Sequence, residues 1–285
     1  MKSRKDRTDE LLGMCEEAIA SIRDSNRWVE WLRFCVSFHD YSLNNQLLIA
    51  CQRPDATRVA GYRKWQEMGR QVRKGEKAIE ILAPCTKKRK VQVDSPDGPI
   101  EEEKRFVVGF RPVSVFDISQ TEDAGGGEPL SICDVIDCEV DGYEKLLKAL
   151  ITASPCPVSF ESVSGAANGY YSRREGRIVV KKGLPQGQTL KTLAHEIGHA
   201  CMHDVDDEVL PDQKTREVQA ESVAFVVSDY LGIDSSCYTF GYLASWSSDK
   251  TAPELRASME KIKAASAEII NRIEAAMGAA KENAA

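Results

Sequence analysis

Two histidines and a glutamate within residues 195–199, HEIGH, have the spacing of a metal site. On a helix, His195 and His199 project from one face because they are four residues apart, so one ion can bind both imidazoles. Zinc suits this pair because it accepts imidazole nitrogens and lowers the pKa of a bound water toward neutrality. Glu196 can serve as a general base beside the same ion. The five-residue pattern alone is a moderate signal, and the apolar residues around it at helical spacing favour a helix beneath an active-site cleft.

A second predicted helix, residues 216–225, carries two carboxylates at the same four-residue spacing. Two imidazoles leave a tetrahedral zinc ion short of a third protein ligand, and Glu217 is the expected third ligand. Glu221, on the same face, is expected to accept a hydrogen bond from a ligating histidine and so to select its tautomer. The alternative is that both are ordinary solvated helix carboxylates.

The two predicted helices resemble those of the gluzincin metallopeptidases, in which an HExxH helix is followed by a helix with a glutamate ligand and a further acid. That further acid is Glu221 here, where the gluzincin pattern has aspartate. The resemblance implies peptide hydrolysis, in which zinc polarises the scissile carbonyl and Glu196 moves a proton from water to the leaving amine.

Two further roles around this predicted site stay open. A donor to the oxyanion is required, and Tyr170 and Tyr171 are candidates, although packing within a hairpin is the simpler role for both. His203 lies one turn beyond the HExxH motif. It is expected to contact a ligating histidine or to cap the helix, because a catalytic zinc ion keeps one position open.

Length and composition set the frame for this site. At 285 residues the chain can form two ordinary domains, each with its own core. No apolar run is long enough to span a membrane and the polar N-terminal segment has no signal-peptide core, which predicts a cytoplasmic protein without a membrane partner. Nine cysteines without CxxC spacing indicate reduced thiols rather than a disulfide framework.

Charge is distributed unevenly along the chain. The formal net charge is -6, yet residues 51–90 contain twelve Lys and Arg against four Asp and Glu. A local positive excess of this size indicates a surface for a polyanion. Residues 120–131, QTEDAGGGEPLS, predict a flexible linker. The linker predicts two domains, residues 1–119 and 132–285, and the predicted helices and strands give the fold class α+β. The gluzincin resemblance implies that residues 132–285 form a zincin-like metallopeptidase domain. The assignment of residues 1–119 as a mixed α+β DNA-binding domain is implied by a second resemblance, in the N-terminal half.

Two runs in the N-terminal half carry a family resemblance. Residues 44–84, NNQLLIACQRPDATRVAGYRKWQEMGRQVRKGEKAIEILAP, and residues 115–122, VFDISQTE, resemble the N-terminal single-stranded-DNA-binding domain of ArdC-type antirestriction proteins. The linker and the HExxH helix pair then follow the ArdC arrangement, whose C-terminal domain is a metallopeptidase related to the ImmA/IrrE group. The resemblance implies single-stranded DNA binding, zinc peptidase architecture and carriage on conjugative plasmids or other mobile genetic elements, where such proteins protect incoming DNA from restriction.

Single-strand binders combine cations that contact phosphates with aromatic rings that stack on bases. The candidate DNA-binding residues on this basis are Tyr62, Arg63, Lys64, Trp65, Arg70, Arg73, Lys74 and Lys77. The alternative is that the two aromatic residues belong to the core of a small α+β domain and that the cations form a solvated face.

Three functions are compatible with these features. The first is an antirestriction protein that binds single-stranded DNA and has an active zinc peptidase. The second keeps DNA binding and makes the zinc domain structural, and the third is a protease that cleaves a repressor or another DNA-associated protein. All three predict binding of zinc and of DNA, and the DNA partner expected from the resemblance is single-stranded. The sequence identifies neither the protein substrate nor the oligomeric state.

Overall fold

A computed structural model describes the chain in seven ranges: residues 3–22, 25–93, 100–124, 142–165, 167–203, 210–233 and 243–282. Helices and sheets are both present, and the contacts divide the chain into two compact units. The first unit comprises Met1–Ala18 and Asn44–Leu130, and the second comprises Ile19–Leu43 and Ser131–Ala285. The predicted α+β class with two domains is confirmed.

The helices are α1 (Arg4–Ser21), α2 (Ser25–Ser37), α3 (Leu43–Gln52), α4 (Tyr62–Glu67), α5 (Tyr143–Ala153), α6 (Gln186–His203), α7 (Gln213–Tyr230), α8 (Leu243–Ser247) and α9 (Ala252–Glu282). The strands are β1 (Val59–Ala60), β2 (Arg70–Val72), β3 (Ile79–Val93), β4 (Ile100–Asp117), β5 (Thr121–Asp123), β6 (Val158–Glu161), β7 (Gly169–Ser172) and β8 (Arg177–Lys181). A single 3-10 turn, Ile118–Gln120, follows β4.

The first unit is built on a long antiparallel hairpin of β3 and β4, to which β1 adds a short third strand. Helix α3 is attached to β3 through two side-chain amides that act like a neighbouring strand. Asn45 accepts from the Leu82 N–H at 2.9 Å and donates to the Leu82 carbonyl at 3.0 Å. Gln52 makes the same pair of bonds with the backbone of Glu80. The apolar face of this helix, including Leu48 and Ile49, is thereby held against the core.

A second, two-stranded sheet differs from the sequence expectation. Residues 120–131 are the predicted linker, yet β5 pairs antiparallel with β2, and Thr121 stands opposite Val72. Gln120 and Thr121 are buried, and the side chain of Gln120 accepts from the Asp117 N–H at 2.9 Å. Residues 120–124 are therefore part of the folded first unit, because backbone pairing and a capped 3-10 turn hold this segment. The rest of the predicted linker lies outside the described residues.

The second unit contains a three-stranded sheet in the order β6-β8-β7, with β6 parallel and β7 antiparallel to β8. Helix α6 packs on β7 and β8, and α7 packs on α6 and α9. Helix α2 also belongs here: the Trp28 indole N–H donates to Ser222 Oγ at 3.0 Å, and its ring lies edge-on to Trp246 at 5.6 Å. The domain limits of residues 1–119 and 132–285 remain a prediction, since the contact-based division assigns residues 19–43 to the second unit.

No helix in the described parts of the chain combines the length and apolar character needed to cross a bilayer.

Candidate metal centre and nucleic-acid interface

Helices α6 and α7 carry the candidate metal ligands, and a glycine lets them pack closely. A Cβ atom at Gly198 would lie 3.4 Å from Val223 Cβ and 3.5 Å from the Cα of Ala220. Helix α7 begins at Asp212, whose carboxylate caps the helix by accepting from the Thr215 N–H at 2.9 Å. The close packing and the capped start bring one face of α7 opposite the HExxH face of α6.

Three side chains converge between these helices. The Nε2 atoms of His195 and His199 are 3.1 Å apart. Glu217 lies with Oε2 at 3.5 Å from His195 Nε2 and Oε1 at 3.7 Å from His199 Nε2. Two nitrogens bound to one tetrahedral zinc ion at about 2.0–2.1 Å would be about 3.3 Å apart. The donor set therefore fits a divalent metal ion, and the three ligand atoms all lie within 4.8 Å of one another.

The cluster is open to solvent on one side. The side chains of His195 and His199 are 20% and 16% exposed, and that of Glu217 is 46% exposed. A catalytic zinc site has three protein ligands and one position for water or substrate, whereas a structural site is closed by four ligands. Among the residues that the structure describes, these three are the ones grouped closely enough to share an ion.

The carboxylates around His195 set its electrostatics. Glu221 Oε2 lies 3.3 Å from His195 Nδ1, on the opposite side of the ring from Glu217. Burial alone lowers the pKa of His195, but hydrogen bonds with Glu217 and Glu221 outweigh it and raise that pKa to about 9. Hydrogen bonds from His195 and His199 in turn hold the pKa of Glu217 well below its usual range. Carboxylates that stabilise a proton here would equally stabilise a metal cation.

A chain of buried polar side chains continues from His199. His203 Nδ1 lies 3.1 Å from His199 Nδ1, His203 Nε2 lies 2.9 Å from Gln219 Oε1, and Gln219 donates to Ser258 Oγ at 3.1 Å. Burial lowers the pKa of His203 to about 4, against the opposing hydrogen bond of Gln219. A neutral His203 with its proton on Nε2 satisfies every bond, since its Nδ1 then accepts from His199. The Nε2 lone pair of His199 is thereby directed to the metal position.

Glu196 lies beside the cluster under the edge strand β7. It is 7% exposed, and burial raises its pKa, although His195 and His199 act in the opposite direction. Its carboxylate accepts a hydrogen bond from the backbone of Tyr171. At Gly169 of the same strand, a Cβ atom would lie only 2.8 Å from both Thr192 Cγ2 and the Val179 carbonyl oxygen. Only glycine allows β7 to pass this close to α6.

Several of the predicted DNA-binding residues line one cleft in the first unit. This cleft has a volume of about 460 Å³, and its lining consists of Tyr62, Gln71, Val72, Arg73, Lys74, Glu76, Phe116 and Glu122. Tyr62 is 43% exposed, and its hydroxyl accepts from Gln71 Nε2 at 2.6 Å, which orients the ring at the cleft. An aromatic ring and two cations thus share a concave surface, together with two acids.

Trp65 corrects one sequence expectation. Its side chain is 0% exposed, and its indole N–H donates to the Phe116 carbonyl at 2.9 Å. It therefore cannot stack on a base in the folded unit and is a core residue, the alternative that the sequence left open. Tyr62, one turn earlier at the first position of the short helix α4, is exposed instead.

The predicted cations differ in how far the fold engages them. Arg63, Lys74 and Lys77 have exposed side chains, and Lys64 is exposed and pairs with Glu67 at 3.1 Å. The guanidinium groups of Arg70 and Arg73 bond to the 118–121 turn: Arg70 donates to Thr121 Oγ1 at 2.7 Å, and Arg73 donates to the Ser119 carbonyl at 2.6 Å. Both arginines therefore hold this turn in place, and of the two only Arg73 lines the cleft.

Sequence reasoning missed three residues of the metal centre. Gln219 lies between Glu217 and Glu221 in the sequence of α7, and an amide side chain in that position was a signal that sequence reasoning could have used. Ser258 is on α9 and gives no local signal, since only the packing of α9 on α7 brings it to Gln219. Gly169 likewise becomes notable only when strand and helix are seen together.

The second unit thus has the features of a zincin-like metallopeptidase: a mixed sheet, an HExxH helix and a following glutamate helix. Its residues 154–228 match the family described as the IrrE N-terminal-like domain, peptidase family M78. Residues 3–116 match the family described as the N-terminal domain of the anti-restriction factor ArdC. The chain therefore combines a domain that matches the ArdC N-terminal family with a domain that matches the IrrE-like peptidase family, in this order.

Individual relatives are distant. An uncharacterized protein of Bacillus anthracis is 24% identical over 282 residues, covering 86% of this chain and 47% of that protein, so the chain spans about half the length of this curated relative. The metal-free crystal structure of the antirestriction protein ArdC from plasmid R388 is 20% identical, with a TM-score of 0.44 over 83% of this chain and 84% of that one. The Mn(II)-bound structure of the same protein is 18% identical, with a TM-score of 0.49 over 94% and 97%.

Proposed function

We propose that this chain is an antirestriction protein of a mobile genetic element, such as a conjugative plasmid, that binds single-stranded DNA and has an active zinc metallopeptidase unit. The observation that carries the peptidase part is the three-ligand cluster of His195, His199 and Glu217, which is partly exposed and lies beside Glu196. Zinc is the proposed ion because two imidazoles and one carboxylate are a donor set that it favours.

A zinc ion in this cluster would polarise a scissile carbonyl and activate water at neutral pH. The chain's own residues supply the remaining steps. Glu196, whose pKa is raised by burial, accepts the proton of the attacking water and delivers it to the leaving amine. Glu221 and His203 orient the two imidazoles through their Nδ1 atoms. The backbone of β7, an edge strand beside α6, is available to align an extended peptide.

The DNA-binding part of the proposal rests on the ArdC N-terminal domain and on the cleft of Tyr62, Arg73 and Lys74. The exposed ring of Tyr62 can stack on a base, and Lys74 with Arg63 can contact the flanking phosphates. The six cysteines in the described ranges form no disulfide bond with one another, which favours action in a reducing compartment, the cytoplasm.

Replacement of Glu196 by Gln tests the peptidase. This variant should bind zinc like the wild type, because Glu196 is not a ligand, and should lose proteolysis of an unfolded protein by about 100-fold or more. Glu260→Gln, an exposed glutamate of α9, is the matched control. Restriction of incoming DNA is then scored in cells. If protection survives Glu196→Gln, antirestriction does not need proteolysis, and the zinc unit is structural or acts on another target.

Binding of a fluorescent single-stranded oligonucleotide over a salt series tests the DNA part. We expect the wild type to prefer the single strand to a duplex of the same sequence. Changing Arg63 and Lys74 to Ala should weaken binding. It should also reduce the slope of log binding constant against log salt concentration by about 0.7 for each phosphate contact that is lost. Lys145 and Lys148, two exposed lysines on α5 of the second unit, provide a control with the same loss of charge. Absence of binding by the wild type would remove DNA from the proposal.

A further inference from the structure

The hairpin of β3 and β4 extends well beyond the part of the sheet in which β1 forms a third strand. Strand β1 pairs only with Phe116 and Asp117 of β4, whereas β3 and β4 stay paired as far as Val93 and Ile100. A two-stranded ribbon without a hydrophobic face on a core is marginally stable in water. We name the middle part, residues 83–89 and 104–111, the β-arm.

The β-arm exposes apolar side chains that a folded unit normally buries. Phe106, Val107, Val108 and Phe110 are 41%, 57%, 48% and 52% exposed. The strand pairing skips Val108 at a β-bulge, because Thr86 pairs with Val107 and Cys85 with Gly109. Bulges turn side chains and increase local twist. Phe106 pairs with Lys87 and lies on one face of the ribbon, whereas Val107 and Phe110 pair with Thr86 and Pro84 and lie on the other face. Large apolar side chains exposed on a ribbon indicate a contact surface for a partner.

The charge of the β-arm defines what partner it fits. Its two segments contain six cations, Lys87, Lys88, Arg89, Lys104, Arg105 and Arg111, and no Asp or Glu. Lys88 pairs with Glu103 at 2.8 Å, just outside the β-arm. Lys87, Arg89, Arg105 and Arg111 form no ion pair with any residue in the described ranges. A protein core or a second copy of this basic surface would leave these charges uncompensated, whereas phosphates would neutralise them.

Strand register places an aromatic ring among these cations. Residues directly paired across strands lie on the same face. Phe106 pairs with Lys87, and Lys104 pairs with Arg89, so these four alternate residues share one face. Beyond the bulge, Arg111 pairs with Ala83 and lies on that face as well. An exposed ring flanked by cations is the arrangement with which proteins hold single strands, since an unpaired base offers its face for stacking and a duplex does not.

We propose that the β-arm is a second contact surface for single-stranded DNA, on which Phe106 stacks on a base while Lys87, Arg89 and Arg111 contact neighbouring phosphates. The inference rests on the proposed DNA-binding function and adds a surface separate in sequence from the cleft of Tyr62 and Lys74. The single strand contacts both surfaces, so longer oligonucleotides bind more tightly than those that fill only one.

The test uses the full-length chain and single-stranded oligonucleotides of two lengths. Phe106→Ala should weaken binding of the longer one about fivefold or more, the loss of one stacked base, whereas Phe106→Trp should restore it. Ile151→Ala, which truncates an exposed apolar residue of α5, is the control. The double variant Lys87→Ala with Arg89→Ala should reduce the slope of log binding constant against log salt concentration by about 1.4. Because both changes are on the surface, this variant tests the proposal even if the Phe106 variant fails to fold.

The outcomes separate this inference from the proposed function. If the wild type binds no DNA, both fail. If the wild type binds and the Arg63 and Lys74 double variant is weakened while every β-arm variant binds with unchanged affinity and slope, the β-arm inference is overturned and the DNA-binding function stands. If the β-arm variants change only the sedimentation of the protein, the surface joins two copies of the chain and the inference is likewise overturned.

Discussion

At the scale of single residues, the metal centre depends on the tautomers of its two histidines. His195 is oriented by a carboxylate, Glu221, and His199 by a second imidazole, His203. An imidazole can accept from His199 only if it is neutral and carries its proton on the other nitrogen. The bond from His203 Nε2 to Gln219 selects that form. The metal site therefore reaches, through hydrogen bonds, to residues that never touch the ion.

Removal of His203 should weaken metal binding more than it weakens the fold. In His203→Ala the His199 Nδ1–H loses its acceptor, and zinc affinity should fall about 10- to 100-fold. Gln219→Ala should have a smaller effect in the same direction. Affinity is measured by competition with a chromophoric chelator, and thermal unfolding of the metal-free proteins is measured in parallel. Thr189→Ala, a buried polar residue of α6 outside this chain of bonds, is the control. Unchanged zinc affinity with lower metal-free stability would make His203 a packing residue only.

At the scale of elements, the site exists because α6 and α7 pack closely at Gly198. The space there admits a methyl group, since a Cβ atom would meet its nearest neighbours at 3.4 Å, but nothing larger. The helices could otherwise not bring Glu217 to the histidines. The tight pass of β7 over α6 at Gly169 positions the backbone beside Glu196 in the same way.

A large side chain at position 198 should separate the two helices. Gly198→Leu is expected to lower stability by about 1–3 kcal/mol and to abolish stoichiometric zinc binding, because Glu217 moves away with α7. Gly198→Ala should keep the bound metal. Zinc content after gel filtration and thermal unfolding measure the two effects. Full metal occupancy in Gly198→Leu would show that the site does not depend on this contact.

The start of α7 gives a pH-dependent contribution to stability. Asp212 caps the helix through Thr215 and pairs with Lys250 at 2.9 Å, and these bonds hold its pKa well below the usual range. A carboxylate whose pKa is depressed by folding stabilises the fold fully above its unfolded pKa, about 3.9, and progressively less as the pH falls below it. The bond to Lys250 contributes most to this lowering of the pKa, but the carboxylate is half exposed, so solvent screens the contribution of the ion pair to stability.

Asp212→Ala should therefore lower the free energy of unfolding by about 1 kcal/mol at neutral pH. The difference in free energy of unfolding from the wild type should shrink below pH about 3.9. In that range the carboxylate is still ionised in the native state but takes up a proton when the protein unfolds. Denaturant unfolding of the metal-free protein at several pH values measures it. Asp212→Asn keeps the capping oxygen without the charge. Its free energy of unfolding should lie between those of the wild type and Asp212→Ala. A pH-independent difference would argue against the ionised cap.

At the scale of the whole molecule, the two candidate sites belong to different compact units. The metal cluster lies in the second unit and the cleft of Tyr62 lies in the first. The chain has a formal net charge of -6, yet its basic residues are concentrated between positions 51 and 90. The distribution of charge, rather than its sum, thus makes contact with a polyanion possible in an acidic protein.

Metal removal should separate the two activities. Chelation is expected to lower the unfolding temperature of the second unit, since zinc bound to the native state stabilises it by about 4 kcal/mol at a thousandfold excess over its dissociation constant. Affinity for single-stranded DNA should stay the same, because no residue of the cleft is a ligand. Calorimetry and oligonucleotide binding with and without chelator measure both. Loss of DNA binding on chelation would place the metal in the DNA-binding function.

Local chemistry determined much of this protein from the sequence alone. Four-residue spacing on a helix is independent of the rest of the fold, so the shared face of His195 and His199 and that of Glu217 and Glu221 could be predicted. That these two faces meet was implied by the gluzincin resemblance, and the structure brings the residues together. The α+β class and the presence of two domains followed from periodicity and composition, whereas the order of a DNA-binding and a peptidase domain was implied by the ArdC resemblance. The ligand roles and the DNA-binding roles themselves stay predictions.

Tertiary structure alone decided which side of an element faces the core and which distant segments meet. Trp65 and Tyr62 lie three residues apart in the short helix α4, yet Trp65 is buried in the core and Tyr62 lines the cleft. Ser258 reaches the metal centre, and β5 pairs with β2, only through contacts between segments far apart in the chain. Such contacts depend on the summed packing of many residues, and no local pattern encodes them.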